Sequence, residues 1–172
     1  NYYISPQLWA WKENRIKKVK RDIDKMFVIL PFEKDFYKKH DYEVEFVGHP
    51  LLDVTENYIE NMSFKKQYKL DDRPIIALLP GSRKQEIQNM LAIMLTLVNK
   101  FPLYQFIIAA APAQSLDFYQ NIILPSQRKS VKVIQNQTYD ILNHAHAALV
   151  TSGTATLETA LFNVPPVSYT HL

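Results

Sequence analysis

Residues 75–79, Ile75-Ile76-Ala77-Leu78-Leu79, form an unbroken apolar run that ends at Pro80 and Gly81. Runs of this kind belong to parallel strands covered on both faces, where neither row of side chains meets water. The period then changes: from Glu86 to Lys100, residues Ile87, Met90, Leu91, Met94, Leu97 and Val98 fall on one face of a helix. The alternation continues, with strands expected at Gln105–Ala110, Val131–Ile134, Ala147–Val150 and near Val167. Between them, helices are expected at Ser115–Leu124, Thr138–Asn143 and Thr154–Phe162. Strands alternating with helices over short loops imply right-handed βαβ units, and so an α/β fold with a doubly wound parallel, Rossmann-like sheet.

The first seventy residues follow the same rhythm less cleanly. Strands are expected at Tyr2–Ile4, Met26–Leu30 and Val44–Val47, with helices near Lys12–Arg21 and Phe32–Lys39. Polar, lysine-rich sequence from Asn61 to Asp72 separates this region from the regular one. The expected division is therefore the tail of one domain over 1–52, a connecting helix or linker over 53–72, and a second domain over 73–172. The chain opens on Asn1, and residues 165–169 read as a strand just begun, so both ends are expected to lie inside a longer folded protein.

Glycine is scarce. At the usual frequency of roughly 7% a chain of this length would hold about a dozen, but the 172 residues contain three: Gly48, Gly81 and Gly153. Each is expected where a side chain would obstruct the backbone or a ligand. Gly81-Ser82-Arg83 follows a strand and precedes a helix, the junction at which open α/β sheets bind ligands. The helix start offers unpaired N–H groups and a partial positive charge, Ser82 adds a hydroxyl, and Arg83 can hold a phosphate bidentately. Glu86 favours the helix dipole and can cap the helix. Ser152-Gly153-Thr154 occupies an equivalent junction after Ala147–Val150, with Ser152 and Thr154 as capping residues and Glu158 one turn further on, placed to accept from a ribose or sugar diol.

Neither turn carries the Walker lysine or the G-x-G-x-x-G spacing, so nucleotide-dependent phosphoryl transfer and dinucleotide binding are disfavoured. A mononucleotide diphosphate suits two turns and one arginine better. Phe46-Val47-Gly48-His49-Pro50 sits at another strand end, where His49 reads either as a cleft residue or as a structural histidine in a turn. His144-Ala145-His146 has a ligating spacing without a third ligand, and no metal is expected.

Seven Lys or Arg residues lie between Lys12 and Lys25 against Glu13, Asp22 and Asp24, so this segment holds most of the net charge of +3. Trp9 and Trp11 precede it directly, and they read either as core residues or as an interfacial group at an anionic membrane surface. No nucleic-acid motif accompanies the basic residues. Cysteine is absent, which removes disulfides and thiolate metal sites.

Five motifs occur in order: Ser5-Pro6 with Trp9-Ala10-Trp11; Leu30-Pro31-Phe32-Glu33 with Phe36-Tyr37; Phe46-Val47-Gly48-His49-Pro50; Leu79-Pro80-Gly81-Ser82-Arg83 with Glu86; and Ser152-Gly153-Thr154-Ala155 with Leu157-Glu158. Together they closely resemble the lipid-A-disaccharide synthase family, from about residue 2 to 166. The resemblance implies a GT-B glycosyltransferase with two Rossmann-like domains, truncated here at both ends. It implies transfer of 2,3-diacylglucosamine from its UDP derivative to 2,3-diacylglucosamine 1-phosphate, with inversion and without metal or other cofactor, at the cytoplasmic face of the inner membrane.

Carried over by residue, the resemblance assigns Gly81, Ser82, Arg83, Glu86, Ser152, Gly153, Thr154 and Glu158 to UDP, with Arg83 stabilising the leaving diphosphate. It assigns Gly48 and His49 to the cleft, and it favours membrane or lipid contact for Trp9 and Trp11. It allows a homodimer and implies no nucleic-acid partner. The catalytic base is expected outside this chain, and the chain alone is expected to be inactive. Other UDP-sugar GT-B enzymes, namely a UDP-N-acetylglucosamine 2-epimerase or the lipid-linked transferase of peptidoglycan synthesis, are the alternatives, together with a non-catalytic nucleotide-binding module. The two enzymes would not be expected to carry Trp9-Ala10-Trp11 before Leu30-Pro31-Phe32-Glu33.

Overall fold

The computed structural model describes residues 1–151 and 153–169, and the chain divides into two compact units, Asn1–Asn57 and Tyr58–Leu172. In the first unit, β1 (Tyr2–Tyr3), β2 (Met26–Val28) and β3 (Glu45–Phe46) pair in parallel in that order. Helices α1 (Leu8–Trp11) and α2 (Ile16–Asp22) connect the first two strands, α3 (Pro31–Lys38) connects the next two, and α4 (Pro50–Glu56) follows. Leu8, Ile16, Val19, Met26, Val28 and Tyr37 form its core, and the Tyr37 hydroxyl lies 2.6 Å from Ser5 Oγ. Buried Glu33 turns its Oε2 back to accept from the N–H groups of Ile29 and Leu30 at 3.2 and 2.9 Å, which caps α3.

The second unit opens with α5 (Phe64–Gln67). It continues through β4 (Ile75–Leu79), α6 (Lys84–Leu95), β5 (Gln105–Ala110), α7 (Leu116–Gln120), β6 (Val131–Gln135), α8 (Thr138–His144), β7 (Ala145–Thr151), α9 (Thr154–Leu161) and β8 (Pro166–Tyr169). All five strands are parallel, in the order β6-β5-β4-β7-β8.

The apolar runs are explained by what covers each face. Leu78, Phe106 and Ile108 point into one core with Ile87, Leu91 and Met94 of α6 and Tyr119 of α7. The alternate residues Ile75, Ala77, Leu79 and Ile107 point into a second core with Phe64 of α5 and with Ile141 and Leu142 of α8. Each buried Leu or Ile contributes about 1.5–3 kcal/mol relative to exposure, so a polar residue on either face of β4 would be costly.

Local patterns predict most of these elements, with differences chiefly at their ends; the stretch 53–72 holds the end of α4 and the short α5 in place of one connecting helix. The periodicity predicts a helix to Lys100, whereas α6 stops at Leu95 and continues as tighter turns in which Leu97, Val98 and Lys100 donate to Met94, Leu95 and Leu97. Leu97 and Val98 still reach the core from there, so the apolar period survives where the helix does not.

The loop after β5 is pinned by side chains. The Ala111 N–H donates to the Tyr119 hydroxyl at 2.9 Å, and Gln135 Nε2 donates to the carbonyls of Ala111, Pro112 and Gln114. Tyr119→Phe keeps the buried ring but leaves that N–H without its acceptor. The expected cost is about 1–2 kcal/mol, read as a lower urea midpoint with an unchanged slope.

Candidate functional site at the switch point of the sheet

Strand order reverses between β4 and β7: the chain runs outward through β5 and β6, then returns to place β7 on the other side of β4. Beyond the carboxyl ends of that pair, the helices leading away diverge to opposite faces and leave a crevice. A hollow of about 420 Å³ lies there, lined by Gly81, Ser82, Arg83 and Glu86 on one side and by Thr151, Gly153, Thr154 and Glu158 on the other. Ala109, Ala110, Ala111 and Pro112, at the end of β5, form a third wall. Their small side chains keep the space open.

The first turn is built around Glu86. Its Oε2 accepts from the Ser82 N–H at 3.1 Å and the Arg83 N–H at 3.4 Å, closing the start of α6. Arg83, at the N-cap, has no side-chain acceptor to return, so this is half of a capping box. Gly81 has φ of +101°, and a Cβ there would collide with the Glu86 carboxylate. The exposed Arg83 guanidinium has no acceptor among the described residues and borders the hollow. Two of the N–H groups that the sequence offers to a phosphate are thus already held by Glu86, and the Arg83 guanidinium is left without a partner among the described residues.

In the second turn Gly153 takes the N-cap of α9 with φ 141° and ψ −156°, and no side chain caps it among the described residues. Thr154 is the first helical residue and is exposed, while Ser152 lies outside the described residues. Among the described residues, the N–H groups that begin α9 therefore carry no carboxylate of the Glu86 kind. Thr151 Oγ1 is buried without a partner among the described residues. Glu158, half-buried, receives the Tyr139 hydroxyl on Oε1 at 3.1 Å.

A model of the lipid-A-disaccharide synthetase family matches residues 1–172. The chain belongs to this family. A lipid-A-disaccharide synthase from Coxiella burnetii (strain Dugway 5J108-111) is 43% identical over 171 residues, covering 96% of this chain and 44% of that relative. One from Syntrophus aciditrophicus is 40% identical over 169 residues, covering 95% and 44%, and one from Alcanivorax borkumensis is 39% identical over 171 residues, covering 96% and 45%. The chain therefore spans less than half the length of these curated relatives.

The remaining sequence candidates of this lipid-A-disaccharide synthetase family member occupy defined places. Gly48 and His49 belong to the 1–57 unit, where Gly48 has φ of +84° and His49 Nδ1 accepts from the Leu51 N–H at 3.2 Å to cap α4. Trp9 and Trp11, in the same unit, are both exposed, Trp11 at 82%, and the reading of both as core residues does not hold. Trp9 retains one edge contact, with Phe32 at 5.0 Å.

His144 and His146 do not form a strand pair. A register shift at the start of β7 sets Ala145 and Ala147 against Ile75 and Ile76, and His144 ends α8 with Nδ1 2.9 Å from the Asp140 carbonyl. No group of three or more metal-ligating side chains occurs among the described residues. No helix among them is long and apolar enough to cross a membrane.

Proposed function

We propose that this chain is the UDP-sugar-binding part of a lipid-A-disaccharide synthase, a GT-B glycosyltransferase of lipopolysaccharide assembly. The observation that carries the reading is the meeting of both scarce-glycine turns in one hollow, at the switch point of the sheet, together with a free arginine and a held carboxylate. The names of the matching relatives supply the sugar chemistry.

In this reading the diphosphate lies between the Gly81 and Gly153 turns. The N–H groups at the start of α9 and the Arg83 guanidinium receive its charge, and Glu158 accepts from the ribose diol. Glu86 serves by holding the Gly81–Arg83 turn. The acceptor hydroxyl of 2,3-diacylglucosamine 1-phosphate attacks the anomeric carbon of UDP-2,3-diacylglucosamine with inversion and gives up its proton to a general base outside this chain. The bond to the diphosphate breaks, and UDP leaves with the electron pair. The negative charge that develops on the leaving oxygen is offset by Arg83, an interaction that strengthens toward the transition state. Exposed Trp9 and Trp11 beside the lysine-rich α2 suit contact with the anionic inner-membrane surface that carries both acylated sugars.

Calorimetric titration with UDP, ADP and GDP tests the nucleotide. The expected result is a preference for UDP of at least tenfold, and equal binding of all three would remove the assignment. Incubation of the full-length protein with the two acylated glucosamine substrates should yield the disaccharide and UDP in equal amounts.

A further inference from the structure

Glu158 is held by a residue that none of the five sequence motifs contains. Tyr139, near the start of α8, donates its hydroxyl to Glu158 Oε1 at 3.1 Å. Its ring is stacked on Phe162, at the end of α9, with centroids 5.3 Å apart and planes at 18°. Tyr58 meets the same Phe162 edge-on at 5.2 Å, and its hydroxyl donates to Asp140 at 2.7 Å. The Tyr139 hydroxyl is thus fixed by aromatic packing on one side and by the helix carrying Glu158 on the other. Among the described residues nothing donates to Glu158 Oε2. Glu158 lines both the 420 Å³ hollow and a neighbouring one that Tyr58 and Tyr139 border.

We propose that Tyr139 is a positioning residue: it holds one oxygen of Glu158 so that the other is presented to the ribose 2′,3′-diol of the bound nucleotide. The inference rests on the nucleotide reading above and adds to it a determinant of ribose selectivity. A glutamate on a helix surface samples several rotamers, and fixing it before the ligand arrives removes that ordering cost from binding. Tyr139 suits the task because a phenol is already a donor across neutral pH, and burial, followed by the nearby Glu158 charge, raises its hydroxyl further.

The test is Tyr139→Phe, which keeps the ring stack and removes the hydroxyl. The protein and the variant are titrated with UDP and with 2′,3′-dideoxyuridine diphosphate, and Glu158→Gln is carried alongside. The unsubstituted protein should prefer UDP about tenfold or more. In Tyr139→Phe that preference should fall to about two- or threefold, through weaker UDP binding, while the affinity for the dideoxy analogue stays within about twofold. Adding Glu158→Gln to Tyr139→Phe should then remove little more than either change alone. Equal weakening for both ligands, or an unchanged preference, would overturn the positioning role while leaving UDP binding intact. Failure of the unsubstituted protein to distinguish the two ligands would instead overturn the ribose contact itself, and this inference with it.

Discussion

Arg83→Ala should weaken UDP binding about 10- to 100-fold while leaving the thermal midpoint within a degree or two. The asymmetry follows from where the side chain sits. The Arg83 backbone belongs to the cap of α6, and alanine preserves its N–H and therefore its bond to Glu86. The guanidinium is exposed and has no acceptor among the described residues, so its removal breaks no internal bond. In the proposed site its contribution is confined to the ligand, where a charge-assisted hydrogen bond is worth about 1.5–3 kcal/mol. Arg83→Lys should restore charge without the bidentate fork and recover only part of the loss. For the proposed transfer by the full-length protein, the same change should lower kcat more than it raises KM, because the diphosphate carries most charge as it leaves. Undiminished UDP affinity in Arg83→Ala would remove the arginine from the site.

Much of the sheet and the location of the crevice are legible in the sequence, and the reason is that both depend on short-range patterns. A five-residue apolar run, a glycine and then a period of 3.6 suffice to locate β4, its turn and α6. The features that were not legible depend on contacts between distant segments. Tyr139 and Glu158 meet only because α8 and α9 pack on the same face of the sheet as Phe64, across the intervening β7. The alanine wall had a local signal, three small residues at and just after the end of an otherwise bulky strand at Ala109-Ala110-Ala111, but small residues usually record packing and the signal is ambiguous without the neighbouring turns. The alternating His144-Ala145-His146 spacing has no strand counterpart, because His144 closes α8 and only His146 belongs to β7. Glu86 shows a subtler limit. Its position three residues after Arg83 marks a cap, but the sequence does not reveal that the capping oxygen occupies the N–H groups otherwise offered to a phosphate.

Gly81→Ala should be the most damaging single substitution at the site, lowering the stability of the 58–172 unit by about 2–4 kcal/mol and removing UDP binding with it. Two costs combine. At φ of +101° an L side chain is strained, which costs about 1–3 kcal/mol. The added Cβ also meets the Glu86 carboxylate. Because the obstacle is the end of a flexible side chain, the collision can be relieved, but only if Glu86 swings away and gives up the Ser82 and Arg83 N–H groups. Loss of such a cap costs about 0.5–2 kcal/mol more. Glu86→Ala at the same turn should therefore cost only the cap and leave the backbone unstrained. In the double variant, alanine at 81 should cost less than it does with Glu86 present, since the obstacle is gone and only the strain remains. Thermal unfolding of the four proteins separates the contributions, with a fall of about 10 °C expected for Gly81→Ala. Strictly additive effects would show that Glu86 does not close over Gly81, and that the glycine is retained for its backbone angle alone.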